Sequence, residues 1–240
     1  MKILIAIIAF NEEGNILNAI NELKASENNY DIVVIDNCSF DNTYKVCKDS
    51  GVKTLKHYIN VGINGTWKTY FNYAYENDYD ILCQYDSDGQ HIATELRKII
   101  EPIINNEADY VIGSRFINNE GFQSYFIRRI GINIFSTILS FLIEKRVKDV
   151  TSGFIAFNRK VIDFFALYYK HEIDQTMLLS YYAGARIMEI PVKMRERSHG
   201  KSFFNIMNAL IFPFKSLVSI LGIRLIKRTI IKEWTNKYES

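Results

Sequence analysis

The stretch Ile81–His91, ILCQYDSDGQH, decides how this chain is read. Ile81, Leu82 and Cys83 form a short apolar run, the pattern of a strand buried on both faces. Gln84 and Tyr85 carry that strand toward an edge, where Asp86 and Asp88 follow at i and i+2. On extended backbone such residues point to one face, about 7 Å apart at the Cα. Two carboxylates at that spacing converge on one hard cation. Mg²⁺ or Mn²⁺ takes one or two carboxylates and completes its octahedron with water and substrate phosphates. Gly89 frees the backbone to turn, and Gln90 and His91 follow as further ligands or orienting groups. The alternative is a plain polar turn, since Asp, Ser and Gly are ordinary turn residues.

Upstream, Met1–Phe10 (MKILIAIIAF) is a short apolar run with one lysine, followed at once by Asn11-Glu12-Glu13. It lacks a small-residue cleavage site, so a buried parallel strand explains it better than a secretory leader. Glu12–Lys24 reads as a helix with Ile16, Leu17, Ile20 and Leu23 on one face. Tyr30–Ile35 is a second strand, ending in the polar loop Asp36–Thr43 that caps a helix through Asp41 or Thr43. Val52–Leu55 is a third, short strand, and Asn60–Gly65 a turn feeding a helix from Thr66 to Tyr75. Downstream come a helix from Thr94 to Asn105 and a strand at Tyr110–Gly113. Alternating strands and helices predict an open, mostly parallel α/β sheet. Ligands of such sheets bind at the carboxyl ends of the strands. The loops starting at Asn11, Asp36, Asn60 and Asp86 should therefore share one rim, which favours a site over four unrelated turns. Gly62 and Gly65 lack the G-x-G-x-x-G spacing and follow no long strand, which argues against a dehydrogenase-type dinucleotide fold.

Composition bounds the rest. A chain of 240 residues suits one large domain, or one with an appendage. Lys+Arg 29 against Asp+Glu 27 leaves no global basic excess, so nucleic acid is not an expected partner. Cys38, Cys47 and Cys83 form no C-x-x-C pair and are odd in number, which fits a reduced intracellular setting with small buried or half-buried thiols.

Seven blocks in order resemble the inverting family 2 glycosyltransferases of the GT-A fold, in the branch similar to dolichyl- or polyprenyl-phosphate sugar synthases. They are AFNEEGN (Ala9–Asn15), DNCSFDNT (Asp36–Thr43), NVGINGTWKT (Asn60–Thr69), DSDGQH (Asp86–His91), GSRF (Gly113–Phe116), DVTSGFIAF (Asp149–Phe157) and EIPVKMRERSHGKS (Glu189–Ser202). The chain departs from the family pattern at Asn37, where a second acid is usual, and at Ile155, where arginine is usual. Those departures are the only support for a non-catalytic nucleotide-binding protein, and the intact DSDGQH argues against it. The resemblance implies that Ala9, Phe10, Glu12 and Asp36, with Asn60 and Gly65, line the nucleotide pocket of the donor. It implies that Asp86, Asp88 and Gln90 hold Mg²⁺ or Mn²⁺ on the donor diphosphate. Residues 1–202 would form the catalytic domain and 203–240 a C-terminal amphipathic helical segment.

On the acceptor side the same resemblance places Arg115, Arg128, Arg129 and Arg197, with Lys201 and Ser202 nearby. A phosphate acceptor is already ionised at neutral pH and calls for guanidinium clamps rather than a strong base. A hydroxyl acceptor, in a surface polysaccharide or lipid-linked glycan, would instead need a carboxylate base, for which Glu172 and Asp174 are candidates. Among the histidines His91, directly after the two acids, is the candidate site residue, while His171 and His199 read as surface polar groups. Ser202–Arg228 is apolar but interrupted by Asn205, Asn208, Pro213, Lys215 and Arg224, so a spanning helix is not expected. Two amphipathic helices, broken near Pro213, would either lie in a membrane interface or pack on the domain. The expectation is a cytoplasmic enzyme, peripheral on the inner face of the membrane, with room for a small membrane-protein partner.

Overall fold

The structure is a computed structural model. It describes residues 1–26, 30–118, 126–169, 175–197 and 216–225, together with 227, 229, 231 and 234; for 126–128 and 130 only the backbone is described. The expectations for His171, Glu172, Asp174, His199, Lys201, Ser202, the Pro213 break and the side chain of Arg128 lie outside the described residues.

The chain runs β1 (Ile3–Ala9), α1 (Ile16–Ala25), β2 (Asp31–Asp36), α2 (Thr43–Asp49), β3 (Lys53–Lys56), α3 (Gly62–Glu76), β4 (Ile81–Asp86), a 3₁₀ turn (Ala93–Glu95) and α4 (Leu96–Ile104). It continues through β5 (Tyr110–Ser114), α5 (Phe126–Leu142), β6 (Ile155–Asn158), α6 (Arg159–Asp163), a π-helical turn (Phe164–Tyr168), α7 (Thr176–Tyr182) and β7 (Ile187–Pro191). Among the described residues the strands form one seven-stranded sheet in the order β3-β2-β1-β4-β6-β5-β7. Strands β1 to β4 pair in parallel, as do β5 and β7, while β6 runs antiparallel between β4 and β5.

Period-2 alternation gives the sheet two packed faces. Leu4, Ala6, Val33, Ile35, Leu82 and Ile112 face a core shared with α3, α5 and α7. Ile5, Ile7, Val34, Cys83 and Val111 face a second core with α1 and α4. Lys68 on α3 donates from Nζ to the carbonyls of Phe165, Ala166 and Tyr169, closing the π-helical turn against the first core. The described C-terminal residues join that core as well: Ile220, Ile223 and Trp234 are buried in it, and Trp234 Nε1 donates to the Ala183 carbonyl at 3.0 Å. Among the described residues no helix is long and apolar enough to cross a membrane.

The five expected strands are present, and two helix starts differ by four residues. Helix α1 starts at Ile16 rather than Glu12, because Asn11 takes a left-handed φ of 54° and the Glu12 carbonyl closes a turn onto the N–H groups of Asn15 and Ile16. Helix α3 starts at Gly62 rather than Thr66, since Asn60 Oδ1 accepts from the Gly62 N–H at 2.9 Å and caps the first turn. Strands β6 and β7, of four and five residues, were not expected from the sequence. The departure at Ile155 falls on β6, where the side chain is buried and its residue pairs with Gln84 and Ile112.

Candidate active site at the carboxyl rim

Register brings the rim residues level. Ala9 pairs with Asp36 across β1 and β2, and Ile8 with Asp86 across β1 and β4, so both acids end their strands on one edge. Asp36 is fully buried; Oδ1 accepts from the Ser39 N–H at 3.3 Å, and Oδ2 has no hydrogen-bond partner among the described residues. A buried carboxylate oxygen left without a donor is costly, which makes Asp36 a candidate for ligand contact. The acid also helps burial push the neighbouring Cys47 thiol up to about 12. Asn37, standing where the resemblance expects an acid, is a linker: its Oδ1 accepts from the Val61 N–H and pairs with His57 Nδ1, and its Nδ2 donates to Asn60 Oδ1. Gly65 lies inside the first turns of α3, where a Cβ would come within 2.7 Å of Val61. Phe10 meets Phe40 edge-on at 6.1 Å. The Asn11 side chain accepts from the Phe40 N–H and Glu12 N–H donates to Thr43 Oγ1, so the β1 and β2 loops form one wall.

The Asp86 loop is fastened from below. Tyr70 donates to Gln84 Oε1 at 3.1 Å, and Gln84 Nε2 donates to Asp86 Oδ1 at 3.3 Å. His91 is 2% exposed and stacks on Phe154 at 4.5 Å. Its Nδ1 accepts from the Asp86 N–H at 3.0 Å, which assigns the proton of the neutral ring to Nε2, 3.5 Å from Asp86 Oδ2. Burial lowers its pKa to about 4, so the ring is neutral at physiological pH. Gly89 takes φ 81° and lets the loop reverse. Gln90 closes it, with its N–H on Asp88 Oδ1 at 3.0 Å and its amide on the Arg195 carbonyl at 3.4 Å. The described contacts of the Gln90 side chain thus run to Arg195. Gly153 approaches from the 149–157 block, and a Cβ there would lie 2.4 Å from Asp86 Oδ2. Only a bare backbone fits against that carboxylate.

The acids carry poorly compensated charge. Burial raises the pKa of Asp86, and burial followed by the Asp86 charge raises that of Asp88. Asp88 keeps its Oδ2 3.5 Å from Arg197 Nη1, a long contact for an ion pair. Oxygen donors of this kind suit Mg²⁺ or Mn²⁺. Among the described residues no group of three or more His, Cys, Asp or Glu forms a cage. The set therefore fits an ion that takes two carboxylates here and its other ligands from water and diphosphate.

Three of the four arginines expected on one side, Arg115, Arg129 and Arg197, are separated. Arg115 is buried and grips Asp149 in a two-pronged pair, Nε to Oδ2 and Nη2 to Oδ1, both at 2.7 Å. That pair holds the loop leading to Gly153. Arg129 stacks over Phe116 at 4.6 Å and lines an open cavity of about 440 Å³ with Asn133, Ser136, Arg146 and Lys148. Arg197 instead bridges the loops that follow β1 and β4, paired with Glu12 Oε1 and facing Asp88. Glu12 itself is raised by burial, partly offset by Asn15 and then Arg197. The reason is a strap: the extended segment after β7 crosses the rim, with Val192 N–H on the Ser114 carbonyl and Arg195 N–H on the Gln90 carbonyl. Arg195 also reaches Glu22 at 2.5 Å and the His91 carbonyl at 3.2 Å. Sequence reasoning assigned no role to Gln84, Arg146, Lys148, Asp149, Gly153 or Arg195. The basic triplet around Val147 and the 149–157 block were the available signals.

Known proteins agree with this architecture. The family model described as glycosyl transferase family 2 matches residues 4–165. A UDP-N-acetylglucosamine–dolichyl-phosphate N-acetylglucosaminyltransferase of Methanococcus voltae is 34% identical over 67% of this chain and 70% of its own length. An undecaprenyl-phosphate mannosyltransferase of Micrococcus luteus is 26% identical over 84% and 87%. In fold, the chain superposes on glucosyl-3-phosphoglycerate synthase from Mycobacterium tuberculosis, solved with Mn²⁺, UDP and glucosyl-3-phosphoglycerate, with a TM-score of 0.69 at 15% identity over 92% of this chain and 79% of that one. The match of the family model over most of the sheet, on a GT-A architecture with its acids on the carboxyl rim, means that this chain belongs to glycosyl transferase family 2.

Proposed function

We propose that this glycosyltransferase moves a sugar from a nucleotide-sugar donor to a polyprenyl phosphate, with inversion and with a divalent metal at Asp86 and Asp88. The observation that carries the reading is the pairing of two separate charge environments. Burial-raised carboxylates stand at the rim, and a cavity lined by Arg129, Arg146 and Lys148 opens at the far end of the loop that leads to Gly153. Three cations around hydroxyl and amide groups suit a phosphate monoester. The relatives named above act on dolichyl and undecaprenyl phosphates, which supports the same acceptor class here.

Asp36, Glu12 and the Phe10 wall would seat the nucleoside. An acceptor phosphate oxygen would attack the anomeric carbon on the face opposite the leaving diphosphate. No general base is needed, because that oxygen is already ionised. Mg²⁺ or Mn²⁺, when bound, neutralises the charge that grows on the departing diphosphate. The residues' own task is positional: Gln84 and Gly153 aim Asp86, Gln90 aims Asp88, and the Arg115–Asp149 pair fixes the loop between them.

The same reading places the enzyme on the inner surface of a membrane, where the acceptor phosphate resides. In the C-terminal helix, residues 216–225, Leu217, Val218, Leu221 and Leu225 point to solvent beside Arg224, opposite the packed Ile220 and Ile223. That face suits lipid headgroups or a small membrane-protein partner. Incubation with UDP-, GDP-, CDP- and dTDP-sugars, Mn²⁺ and a polyprenyl phosphate should yield a glycosyl phospholipid that EDTA prevents. Transfer to a neutral sugar acceptor with none to the lipid phosphate would establish the hydroxyl reading instead.

A further inference from the structure

Arg197 occupies an unusual place for a cation expected to meet the acceptor. Its guanidinium pairs with Glu12 Oε1 through Nη2 and stands 3.5 Å from Asp88 Oδ2 through Nη1, with 20% of the side chain exposed. Glu12 and Asp88 take the guanidinium directly and Asp86 feels its charge, while burial raises the pKa of all three acids. Arg197 ends the described strap, whose backbone is pinned through Arg195 to Gln90 on the Asp86 loop. The same carboxylate that would bind the metal therefore faces the guanidinium of the strap.

We infer that Arg197 is a resident counter-ion that exchanges partners: it stands against Glu12 and Asp88 before the donor arrives, yields Asp88 to the divalent cation, and then pairs with the donor diphosphate. The inference rests on the proposed metal–diphosphate role of Asp86 and Asp88. Its physical basis is that two cations cannot both sit against one carboxylate without repelling each other in a partly desolvated site. Metal alone must displace the guanidinium, whereas metal with diphosphate brings the anion that receives it. The exchange thus ties the strap to the donor: bare metal is held weakly, and metal–diphosphate strongly. It is a coupling free energy between two ligands of one site.

The signature is a change of sign. Mn²⁺ alone, titrated by electron paramagnetic resonance, should bind Arg197→Ala more tightly than the wild type, by about 5-fold, the lower end of usual coupling. Arg197→Lys keeps a charge there and should bind Mn²⁺ like the wild type. With Mn²⁺ and inorganic pyrophosphate together the order should invert, the wild type binding more tightly than Arg197→Ala. Matched melting curves exclude unfolding as the cause, and Arg197→Lys supplies the comparison if Arg197→Ala is damaged: equal Mn²⁺ affinity supports a charge-based exchange, and a large difference opposes it. Unchanged or weaker Mn²⁺ binding in a folded Arg197→Ala overturns the exchange, as does the same order in both titrations. Should the wild type bind no more Mn²⁺ than Asp88→Asn, the metal reading itself fails.

Discussion

At the scale of single residues, the site is defined by which atoms are left unsatisfied. Burial raises the pKa of Asp86 and of Asp88, so the folded protein holds their protons more tightly than the unfolded chain. Their charged forms therefore oppose folding as pH rises from the unfolded value through the raised one. Asp86→Asn should raise the melting temperature of the metal-free protein at pH 7 while abolishing transfer, and the gain should shrink in acid; a calorimetric scan across pH reads both. Asp88→Ala should likewise abolish transfer and weaken nucleotide-sugar binding only when Mg²⁺ or Mn²⁺ is present, as isothermal titration with and without EDTA would show. Gly153→Ala tests the close approach at the other side of Asp86. A Cβ 2.4 Å from Oδ2 must move the carboxylate or the loop, and a displacement of about 1 Å costs on the order of 10²-fold in kcat. Normal turnover in Gly153→Ala would show that the carboxylate is free to shift.

Among elements, the sheet is tied at both edges. At the edge away from the site Asp109 collects Arg186 N–H, Nε and Nη2, and Asn158 Nδ2, joining the starts of β5 and β7 to the end of β6. Burial raises this acid, but the Arg186 contacts outweigh that and its pKa is lowered. A depressed carboxylate contributes stability above its unfolded value near 3.9, lost as pH falls through the folded one. Asp109→Asn should cost about 1–2 kcal/mol at pH 7, discounted because Arg186 is half open to water. The variant should also flatten the loss of stability below about pH 4 in urea melts. On α5 the cavity makes a separate prediction. Arg129→Ala or Lys148→Ala should raise the KM for a polyprenyl phosphate about tenfold, roughly 1.4 kcal/mol, with donor affinity unchanged. An equal loss of donor binding would join the cavity to the nucleotide pocket.

For the whole molecule, the described C-terminal residues present a packed side and an exposed side. Trp234 packs edge-on to Phe164 at 5.4 Å and Tyr168 at 4.8 Å, so removing this segment would open the core. Trp234→Ala should destabilise by about 3 kcal/mol, from area and cavity together. Leu221→Glu with Leu225→Glu lies on the outward face, at 54% and 85% exposure, and should leave the melting temperature unchanged while reducing sedimentation with anionic liposomes. If the pair instead unfolds the protein, both faces belong to the core.

The alternation of apolar runs and polar loops was enough to place β1 to β5 and to predict one rim, because buried parallel strands and strand-end ligand loops are written in local pattern. Asp36, Asp86 and Asp88 were legible for the same reason: carboxylates at the ends of buried strands stand out along the chain. Strand β6 was not legible, since four residues carry too little periodicity and its place between β4 and β5 is a long-range choice. Nor could the chain order alone tell that Arg197 returns to Glu12, 185 residues away, while Arg115 turns inward to Asp149. Local sequence determined which groups bear charge; tertiary packing decided which charges meet, because a guanidinium takes whichever carboxylate the folded backbone brings within reach and burial sets the cost of leaving either one alone.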